Sequence, residues 1–448
     1  MSKVALLFLF VFLGGIFTAF FVTPVASFIV YQAVYLANPD SRWWAATIPG
    51  MRYSLIAASF MLVILVVKYR ELTELAPWKQ QPIFKWLLAL LIMYEVMNLF
   101  AIVPDEHSRF TFDFVKLVVI ILVAYKLVNS EKALDACLWA YILGTTYIGY
   151  VAYSLGRNSQ GRVEGIGMVD TGGDGNMTAA AMVPALILLT YTAWIGNKRI
   201  KILSIFCGAL IANAIVLINS RGAFLGAVAG GLFFLFYMIF SRYQRKGQRG
   251  AAILIILVAF GGTLYVADEA FWERMDTLRE VDDGGKSGSH RIDFWLATFD
   301  VLNDYPLGVG IGGYIQLSPA YLPAHYFENR TTGKAVHSTW FQALAEIGWL
   351  GFLIFLALLV STYRVSRRTK QHLIRKENYD AYFKILALEG ALLSFIVAAS
   401  FINRTRAEVL YWLILFIAVA SNIYYFRVTE LAERNKEVQS VARAKKNQ

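Results

Sequence analysis

The sequence predicts an all-α polytopic membrane protein with about twelve transmembrane helices. Hydrophobic residues make up 58% of the 448 residues and charged residues only 16%, far from the balance of a soluble domain. The apolar residues occur in blocks of about 17 to 25, the length that a helix needs to cross hydrocarbon. Lys and Arg are concentrated in alternate connections between these blocks, which is typical of a chain that crosses a membrane repeatedly.

The apolar blocks define the predicted spans. They cover residues 4–23, 53–68, 83–103, 113–128, 134–155, 178–195, 200–218, 221–240, 250–267, 336–362, 382–403 and 407–426. The stretch 24–36 is also apolar, and it either extends the first span or lies in the membrane interface. The chain starts with MSK and an apolar run that is too long for a signal peptide, so we expect an uncleaved first helix.

The distribution of Lys and Arg predicts the orientation. With the N-terminus inside, cytoplasmic segments hold most of the 42 basic residues, including those at 242–249, at 363–376 and in the tail from Arg427. We therefore expect both termini in the cytoplasm. The outer connections are then 37–52, 104–112, 156–177, 219–221, 268–335 and 404–406. The net charge of +11 belongs largely to the cytoplasmic edge, which faces anionic lipid headgroups and does not indicate nucleic acid.

Four segments describe the predicted organisation. Residues 1–267 form nine transmembrane helices with short loops, 268–335 a large periplasmic loop, 336–426 three further helices and 427–448 a basic cytoplasmic tail. The loop has about 68 residues, below the size at which one core is comfortably stable, so we expect it to lie on the bundle as a lid. The chain has no Walker or dinucleotide glycine loop, which argues against an ATP-driven pump.

Residue types that bind metals are scattered along the chain. Cys137 and Cys207 fall inside predicted spans and are interpreted as small apolar packing residues. No Asp-x-Asp pair appears in an outer segment, and no His cluster has the spacing of metal ligands. We therefore expect chemistry that needs no metal and no other cofactor.

His337 is the predicted general base. It precedes Ser338 at the edge of the tenth span, where a neutral imidazole can take a proton from a hydroxyl. Gly348 and Gly351, three residues apart in the same span, predict a flat helix face for close packing. The alternative is an interfacial His that only caps the helix or extends towards water.

Two arginines are predicted to bind an anion. Arg221 follows Ser220 in a tight outer turn at the edge of hydrocarbon, where a guanidinium is costly unless it meets an anion. Arg291 lies in the large loop and supplies a second guanidinium, whose fork of donors fits phosphate oxygens. The alternatives are an Arg221 that only reaches from a helix end to water and an Arg291 that is a solvated loop charge.

The neighbours of Arg291 add polar and flexible groups. His290 precedes it, and Trp295 follows in an amphipathic run that ends at PLGVGIG, residues 306–312. The glycines of that segment are expected to let the backbone approach a ligand.

The outer loop 156–177 is a second candidate cover for a polar ligand. It is rich in glycine and carries Arg157 and Arg162. Asn176, at the head of the sixth span, either bonds a sugar or caps the helix, and capping is the stronger expectation.

These motifs resemble those of the O-antigen ligase and polymerase superfamily of bacterial envelope glycosyltransferases. The resemblance rests on HSTWFQALAEIGWLG at 337–351, the SRG turn at 220–222, and an Arg-x-x-x-Trp followed by PLGVG. It covers about 176–362 by motif and the rest of the chain by hydropathy alone. The His-Ser pair followed by nine residues and GxxG is similar to the pattern of the O-antigen ligases. The resemblance implies a GT-C-like fold of about a dozen transmembrane helices with one large periplasmic loop between late spans.

The resemblance also implies a reaction. Undecaprenyl pyrophosphate carries the completed O-antigen in the outer leaflet of the inner membrane, and a sugar hydroxyl of the lipid A-core oligosaccharide attacks its anomeric carbon. Arg221 and Arg291 would bind the leaving pyrophosphate, and His337 would take the proton of the acceptor. Direct displacement would invert the anomeric configuration. A retaining route needs a carboxylate nucleophile, and the candidates are Glu164, Asp170 and Asp293.

Three other activities fit parts of the sequence. An O-antigen polymerase uses a second polyprenyl-linked glycan as acceptor, and Arg-x10-Gly spacings at 162–173 and 274–285 are of a polymerase type, although such spacings arise by chance in glycine-rich loops. A protein O-oligosaccharyltransferase of the superfamily would modify a pilin-like protein and is usually longer. A lipid-linked glycan flippase would carry charges near the midplane, whereas Glu95 and Lys116 are the only charges well inside the early spans. The ligase is the favoured interpretation.

Overall fold

The structure is a computed structural model that describes residues 2–159, 161–276, 289–328 and 333–430. Within these ranges the chain forms α-helices, short 3-10 turns, one π-helical turn at Asn422–Phe426 and loops, and no β-strand. The prediction of an all-α membrane protein is confirmed. Gly285, which ends one of the Arg-x10-Gly spacings, and residues 431–448 of the predicted tail lie outside the described residues.

Seventeen α-helices follow one another in the described part of the chain. The first eight are α1 (Lys3–Phe21), α2 (Val25–Ala37), α3 (Tyr53–Val67), α4 (Tyr69–Leu75), α5 (Ile83–Val96), α6 (Pro104–Leu127), α7 (Glu131–Leu155) and α8 (Gly175–Ile195). The others are α9 (Lys198–Ile218), α10 (Arg221–Phe240), α11 (Gln248–Val266), α12 (Glu269–Asp276), α13 (Ser289–Asp304), α14 (Gly313–Tyr321), α15 (Thr339–Arg375), α16 (Tyr379–Ala399) and α17 (Glu408–Ser421).

Eight helices in the described part of the chain are long and apolar enough to cross a membrane: α1, α8, α9, α10, α11, α15, α16 and α17. The bent pair Tyr69–Gln80 and Ile83–Leu99 makes a ninth if it counts as one span. The chain is therefore a multi-pass membrane protein. The number twelve stays a prediction, because it also counts α3, which has 15 residues, and the more polar α6 and α7, which have 24 and 25.

The apolar stretch after the first span forms a helix of its own. α1 ends at Phe21, and α2 begins three residues after Val22, so the stretch does not extend the first span. Most of the 13 residues of α2 are buried. The helix packs against α1, α3 and α7. A helix that is apolar all round is expected inside a bundle, and at 13 residues α2 is shorter than a span of about 20.

The core of the bundle lies around α17, in which every residue is buried. Trp412 is its centre, because its indole contacts Phe28, Tyr35 and Tyr141 with ring centroids 6.0, 4.8 and 6.1 Å away. Edge-to-face contacts of this kind add to the energy of burial. Cys137 and Cys207 are buried in α7 and α9 without a disulfide.

A glycine face joins α10 to α16. A Cβ atom at Gly226 would lie 2.4 Å from the carbonyl oxygen of Ser394, and one at Gly230 would lie 2.6 Å from that of Gly390. Small residues four apart allow the two helix backbones to approach closely. This packing fixes α10, which begins at Arg221.

The expectation of a flat glycine face in α15 was wrong, because the helix breaks at Gly348. The residue has φ 61° and ψ −171°, a conformation that is essentially restricted to glycine. The break releases helix carbonyls: those of Ala345 and Glu346 accept hydrogen bonds from the backbone N–H groups of Val309 and Gly310 at 2.8 and 3.0 Å. The glycines of 306–312 therefore allow a close approach to α15, and their approach to a ligand stays a prediction.

The connections predicted to lie outside meet at one end of the bundle. The Asn38 side chain donates to the carbonyl of Gly167 at 3.2 Å, Val163 N–H donates to the carbonyl of Leu217 at 3.0 Å, and Ile311 N–H donates to His107 Nδ1 at 2.9 Å. We call this the site end. It comprises residues 38–52, 98–107, 156–174, 219–221, 268–276, 289–328, 333–338 and 400–407.

The other end of the bundle, which we call the opposite end, has its own ion pairs. Lys384 Nζ lies 2.8 Å from Glu131 and 2.7 Å from Asp135, and Arg245 lies 2.7 Å from Asp380. The described part of the large loop lies at the site end, where α13 packs on α15 with Trp295 stacked on Phe341. A small apolar cluster, made of Val301, Val309, Tyr314, Val336 and Ala345, joins the loop to the bundle.

Candidate active site

His337 lies in the short connection before α15 with its backbone in the left-handed region, at φ 55°. That conformation is uncommon for a residue with a side chain. Both neighbours are held: the Val336 carbonyl accepts from the Trp295 indole at 3.1 Å, and Ser338 N–H donates to the Asn403 side chain at 3.1 Å. Backbone strain of this kind persists where the surroundings enforce it, and the His337 side chain is exposed at the site end.

The surroundings of His337 keep its ring neutral. Loss of hydration is the largest cause of a lowered pKa, and the positive charges of Arg291 and Lys334 lower it further. Asp174 acts in the other direction and raises the pKa. A His with a pKa below its ordinary value is unprotonated at neutral pH, which is the form that a general base requires.

Arg221 is the first residue of α10. Asn219, at φ 59°, ends α9, and the hydroxyl of the buried Ser220 accepts a hydrogen bond from Ala223 N–H at 3.5 Å. Ser220 therefore holds the start of α10, and with it Arg221. The positive end of a helix dipole repels a guanidinium but attracts an anion, so an anion bound here would meet both.

Arg291, in the first turn of α13, lies close enough to Arg221 and His337 to affect both electrostatically. Its charge acts on Arg221 and also on His337. The structure therefore brings the three predicted catalytic residues together at the site end, although they come from α10, α13 and the connection before α15. Two guanidiniums that repel each other favour an anion that both can contact.

His290 and Trp295 use their polar atoms to hold α13. His290 Nδ1 lies 2.9 Å from the Tyr326 hydroxyl, which also donates to the Asp293 carboxylate. Burial, together with the Asp293 carboxylate, raises the pKa of Tyr326 to about 12. The Trp295 indole donates to the backbone before His337. These contacts position the helix that carries Arg291, and a direct role for His290 or Trp295 in binding substrate stays a proposal.

The arginines of loop 156–177 are engaged with acidic side chains. Arg157 pairs with Asp268 and also donates to the Val216 carbonyl at 3.3 Å. Arg162 lies 2.9 Å from Glu164. The first contact holds the loop against the start of α12, and the second lies within the loop itself.

The expectation that Asn176 caps α8 was wrong. Asp174 is the capping residue, because its carboxylate accepts from Met177 N–H at 2.8 Å, and the half-buried Asn176 lies inside the first turn. A carboxylate at this position also complements the helix dipole.

The three carboxylates considered as nucleophiles all have partners. Asp170 accepts from Tyr35, from Arg404 at 2.7 Å and from Glu408 N–H at 3.0 Å. Glu164 pairs with Arg162, and Asp293 accepts from Tyr326. Within the described ranges, no group of three His, Cys, Asp or Glu side chains comes together as a metal site.

The two arginines in the connection between α16 and α17 were not among the predicted site residues. Arg404 pairs with Asp170, and Arg406 pairs with Glu346 and donates to the Tyr94 hydroxyl at 3.0 Å. Burial alone would lower the pKa of Arg404, but the Asp170 carboxylate and the Tyr35 hydroxyl together outweigh it and raise the pKa. The signal was present: two arginines in a short turn between apolar spans must meet acidic partners, by the argument used for Arg221.

Comparison with known proteins identifies the segment that carries these residues. A family model described as O-antigen ligase matches residues 206–356, which run from α9 into α15 and include Arg221, Arg291 and His337. No curated protein matches the chain. The match covers 151 of the 448 residues and supports membership of the O-antigen ligase and polymerase superfamily, a glycosyltransferase-like superfamily of membrane proteins.

Proposed function

We propose that the protein is an O-antigen ligase, which transfers O-antigen polysaccharide from undecaprenyl pyrophosphate to the lipid A-core oligosaccharide. One observation carries the proposal: the start of α10 with Arg221, the first turn of α13 with Arg291 and the connection with His337 lie at the same end of the bundle, inside the segment that matches the family. Two guanidiniums suit a pyrophosphate, and a neutral imidazole beside them suits a sugar hydroxyl.

In the proposed reaction the acceptor oxygen forms a bond to the anomeric carbon of the donor sugar. The bond between that carbon and the pyrophosphate oxygen breaks, and the electron pair leaves with the polyprenyl pyrophosphate. His337 takes the proton of the acceptor hydroxyl. Arg221 and Arg291 stabilise the negative charge that develops on the leaving oxygen, so neither a metal nor a nucleotide is needed.

The partners of the carboxylates support a direct displacement with inversion. A nucleophilic carboxylate needs an oxygen that can reach the anomeric carbon. Glu164, Asp170 and Asp293 instead contact Arg162, Arg404 and Tyr326. A retaining route would require one of them to leave its partner.

The residues around the three catalytic groups form the proposed substrate-binding surface. Ser220 and Ser338 lie directly beside Arg221 and His337, where the donor phosphates and the acceptor would meet. We propose that the other predicted contacts line the path of the glycan. They are Arg157, Arg162, Asn176, His290 and Trp295.

We propose that the protein lies in the bacterial inner membrane with both termini in the cytoplasm and the site end in the periplasm. The basic segments at 242–249 and 363–376 support this orientation. The first connects α10 to α11, and the second forms the end of α15 that lies away from His337. The large loop 268–335 would then cover the active site from the periplasm.

A reconstituted assay tests the proposal. Full-length protein in liposomes receives lipid-linked O-antigen and either complete-core or deep-rough lipopolysaccharide, and products are separated on a gel. We expect a ladder on the complete core only. Transfer should survive excess chelator, and activity that disappears with chelator and returns with one metal would contradict the mechanism.

The same assay separates the alternatives when the acceptor is changed. A polymerase would extend a second polyprenyl-linked glycan and leave lipopolysaccharide unmodified. A protein O-oligosaccharyltransferase would label a pilin-like protein. A flippase would move the donor across the bilayer without releasing polyprenyl pyrophosphate.

A further inference from the structure

A groove of about 480 Å³ lies between the start of α5 and the second half of α15, at the opposite end of the bundle from His337. Its apolar part is lined by Trp86, Leu353, Leu356, Ala357 and Val360. Its other part is lined by Lys85, Ser361, Arg364 and Arg368. The proposed transfer uses none of these residues.

The lining residues of α15 lie on one face of the helix, with apolar residues first and cations after them. This order matches the acyl chain and the headgroup of a lipid. Leu353, Ala357 and Val360 follow one another at helical spacing and are succeeded by Arg364 and Arg368. At a rise of about 1.5 Å per residue, the stretch from Leu353 to Arg368 is about 22 Å long. That length is about half the thickness of a bilayer with its headgroups, about 40–45 Å. The groove therefore matches one leaflet, with the apolar part towards the midplane and the cations at the headgroups.

The three cations of the groove differ from Lys370 and Lys384, which are paired with carboxylates. Lys370 pairs with Glu389 and Lys384 with Glu131, at 2.5 and 2.8 Å. Lys85, Arg364 and Arg368 are exposed, and the described ranges place no carboxylate within ion-pair distance of them. Lys85 Nζ instead lies 5.4 Å from the centre of the Trp86 ring. A concentration of positive charge at the mouth of an apolar groove is complementary to a phosphate that carries an acyl chain.

We propose that this groove binds one anionic phospholipid, with its phosphate between Lys85, Arg364 and Arg368 and an acyl chain along Leu353, Ala357 and Val360. The proposal is independent of the transferase function, because lipid binding is measured without turnover. The site is a basic pocket between membrane helices, the kind of place where anionic headgroups bind.

Native mass spectrometry of the full-length protein in detergent tests the proposal with phosphatidylglycerol and phosphatidylcholine as probes. We expect phosphatidylglycerol adducts at concentrations where phosphatidylcholine gives none. Replacement of Lys85, Arg364 and Arg368 by Gln should weaken phosphatidylglycerol binding on the order of a hundredfold, since each cation near a headgroup contributes about fivefold. Arg367→Gln is the matched control: Arg367 is exposed on the same helix but does not line the groove, so binding should change less than about twofold.

A second variant keeps the charges and fills the groove. Ala357→Trp should reduce phosphatidylglycerol binding at least about tenfold, because the indole occupies the path of the acyl chain. Equal binding of the two phospholipids, or wild-type binding in both the triple variant and Ala357→Trp, would overturn the proposal. Displacement of phosphatidylglycerol by a lower concentration of polyprenyl phosphate would show that a different lipid is the occupant. His337→Ala should bind phosphatidylglycerol normally, whatever its transfer activity.

Discussion

Arg404 and Asp170, separated by 234 residues in the sequence, are joined by two hydrogen bonds at the site end. The Arg404 guanidinium donates to the Asp170 carboxylate at 2.7 Å and to the Asp170 carbonyl at 2.9 Å. The residue before Arg404, Asn403, accepts from the backbone of Ser338 at 3.1 Å. The pair thus ties loop 156–177 to the segment that holds His337 in place.

Removal of either partner of this pair should destabilise the protein. Arg404→Ala removes the positive charge that neutralises the Asp170 carboxylate. Asp170→Asn removes the negative charge that neutralises the buried Arg404 guanidinium. Breaking a buried ion pair from one side typically costs about 3–5 kcal/mol. We expect a lower midpoint of thermal unfolding for both variants in detergent. Arg70→Ala, which breaks a largely exposed 3.9 Å pair with Glu74, should leave the midpoint unchanged.

Asp170→Asn also tests the retaining route. If this variant unfolds at the wild-type temperature but has lost transfer, Asp170 acts in catalysis and the assignment of a supporting role is wrong.

Gly348→Ala should destabilise the protein through the break in α15. Gly348 has φ 61°, and an added Cβ would lie 2.6 Å from the carbonyl oxygen of Pro306. Strain in such a conformation costs about 1–3 kcal/mol, before the clash is counted. Thermal unfolding and the yield of monodisperse protein measure the effect. Gly231→Ala is the control, since nothing lies within 4 Å of a Cβ there, and an unfolding midpoint in Gly348→Ala equal to that of Gly231→Ala would contradict the account.

The break at Gly348 shows what hydropathy could and could not predict. The apolar run 336–362 correctly indicates a span, but it carries no sign that the carbonyls of Ala345 and Glu346 bond to 309–310, about 36 residues earlier in the chain. Hydropathy likewise identifies 24–36 as an apolar segment, but it does not show whether the segment is a buried helix or a short span. Contacts between distant segments decide both cases.

Sequence alone predicts a candidate site residue where its side chain carries a free-energy cost at the edge of the hydrocarbon. Arg221 and His337 stand out because a charged or titratable group at the edge of hydrocarbon requires a reason. Arg404 and Arg406 meet the same criterion but are neutralised by Asp170 and Glu346, which lie in other segments of the sequence. No single-sequence pattern separates an arginine that binds substrate from one that binds another side chain.

Arg221→Lys should lose nearly as much transfer activity as Arg221→Ala. Lysine keeps the charge but lacks the planar fork that contacts two phosphate oxygens. Arg291→Lys should behave in the same way. The measurement is the initial rate of transfer in liposomes at matched protein abundance. Full activity in Arg221→Lys would mean that charge alone suffices or that this residue only anchors the start of α10.

The acid limb of the pH–rate profile should lie below the ordinary pKa of a His, near 6.5. The base must be unprotonated, and loss of hydration and the charge of Arg291 lower the pKa of His337. Two substitutions should move this limb in opposite directions. Lys334→Gln removes a charge that lowers the pKa of His337 and should shift the limb to higher pH. Asp174→Asn removes a charge that raises it, keeps a residue able to cap α8, and should shift the limb to lower pH. Shifts in the same direction would show that another group controls the profile.

The rate of transfer by His337→Ala tests the central claim most directly. Loss of a general base typically lowers a rate about 10²–10⁴-fold, and His337 contributes little to packing, so abundance and unfolding temperature should stay at the wild-type values. His325→Ala, which removes an exposed imidazole from the same loop, should transfer at the wild-type rate. We predict a ladder on complete-core lipopolysaccharide for the wild type and His325→Ala, and none for His337→Ala over the same period. Transfer by His337→Ala at the wild-type rate would contradict the assignment of His337 as the base.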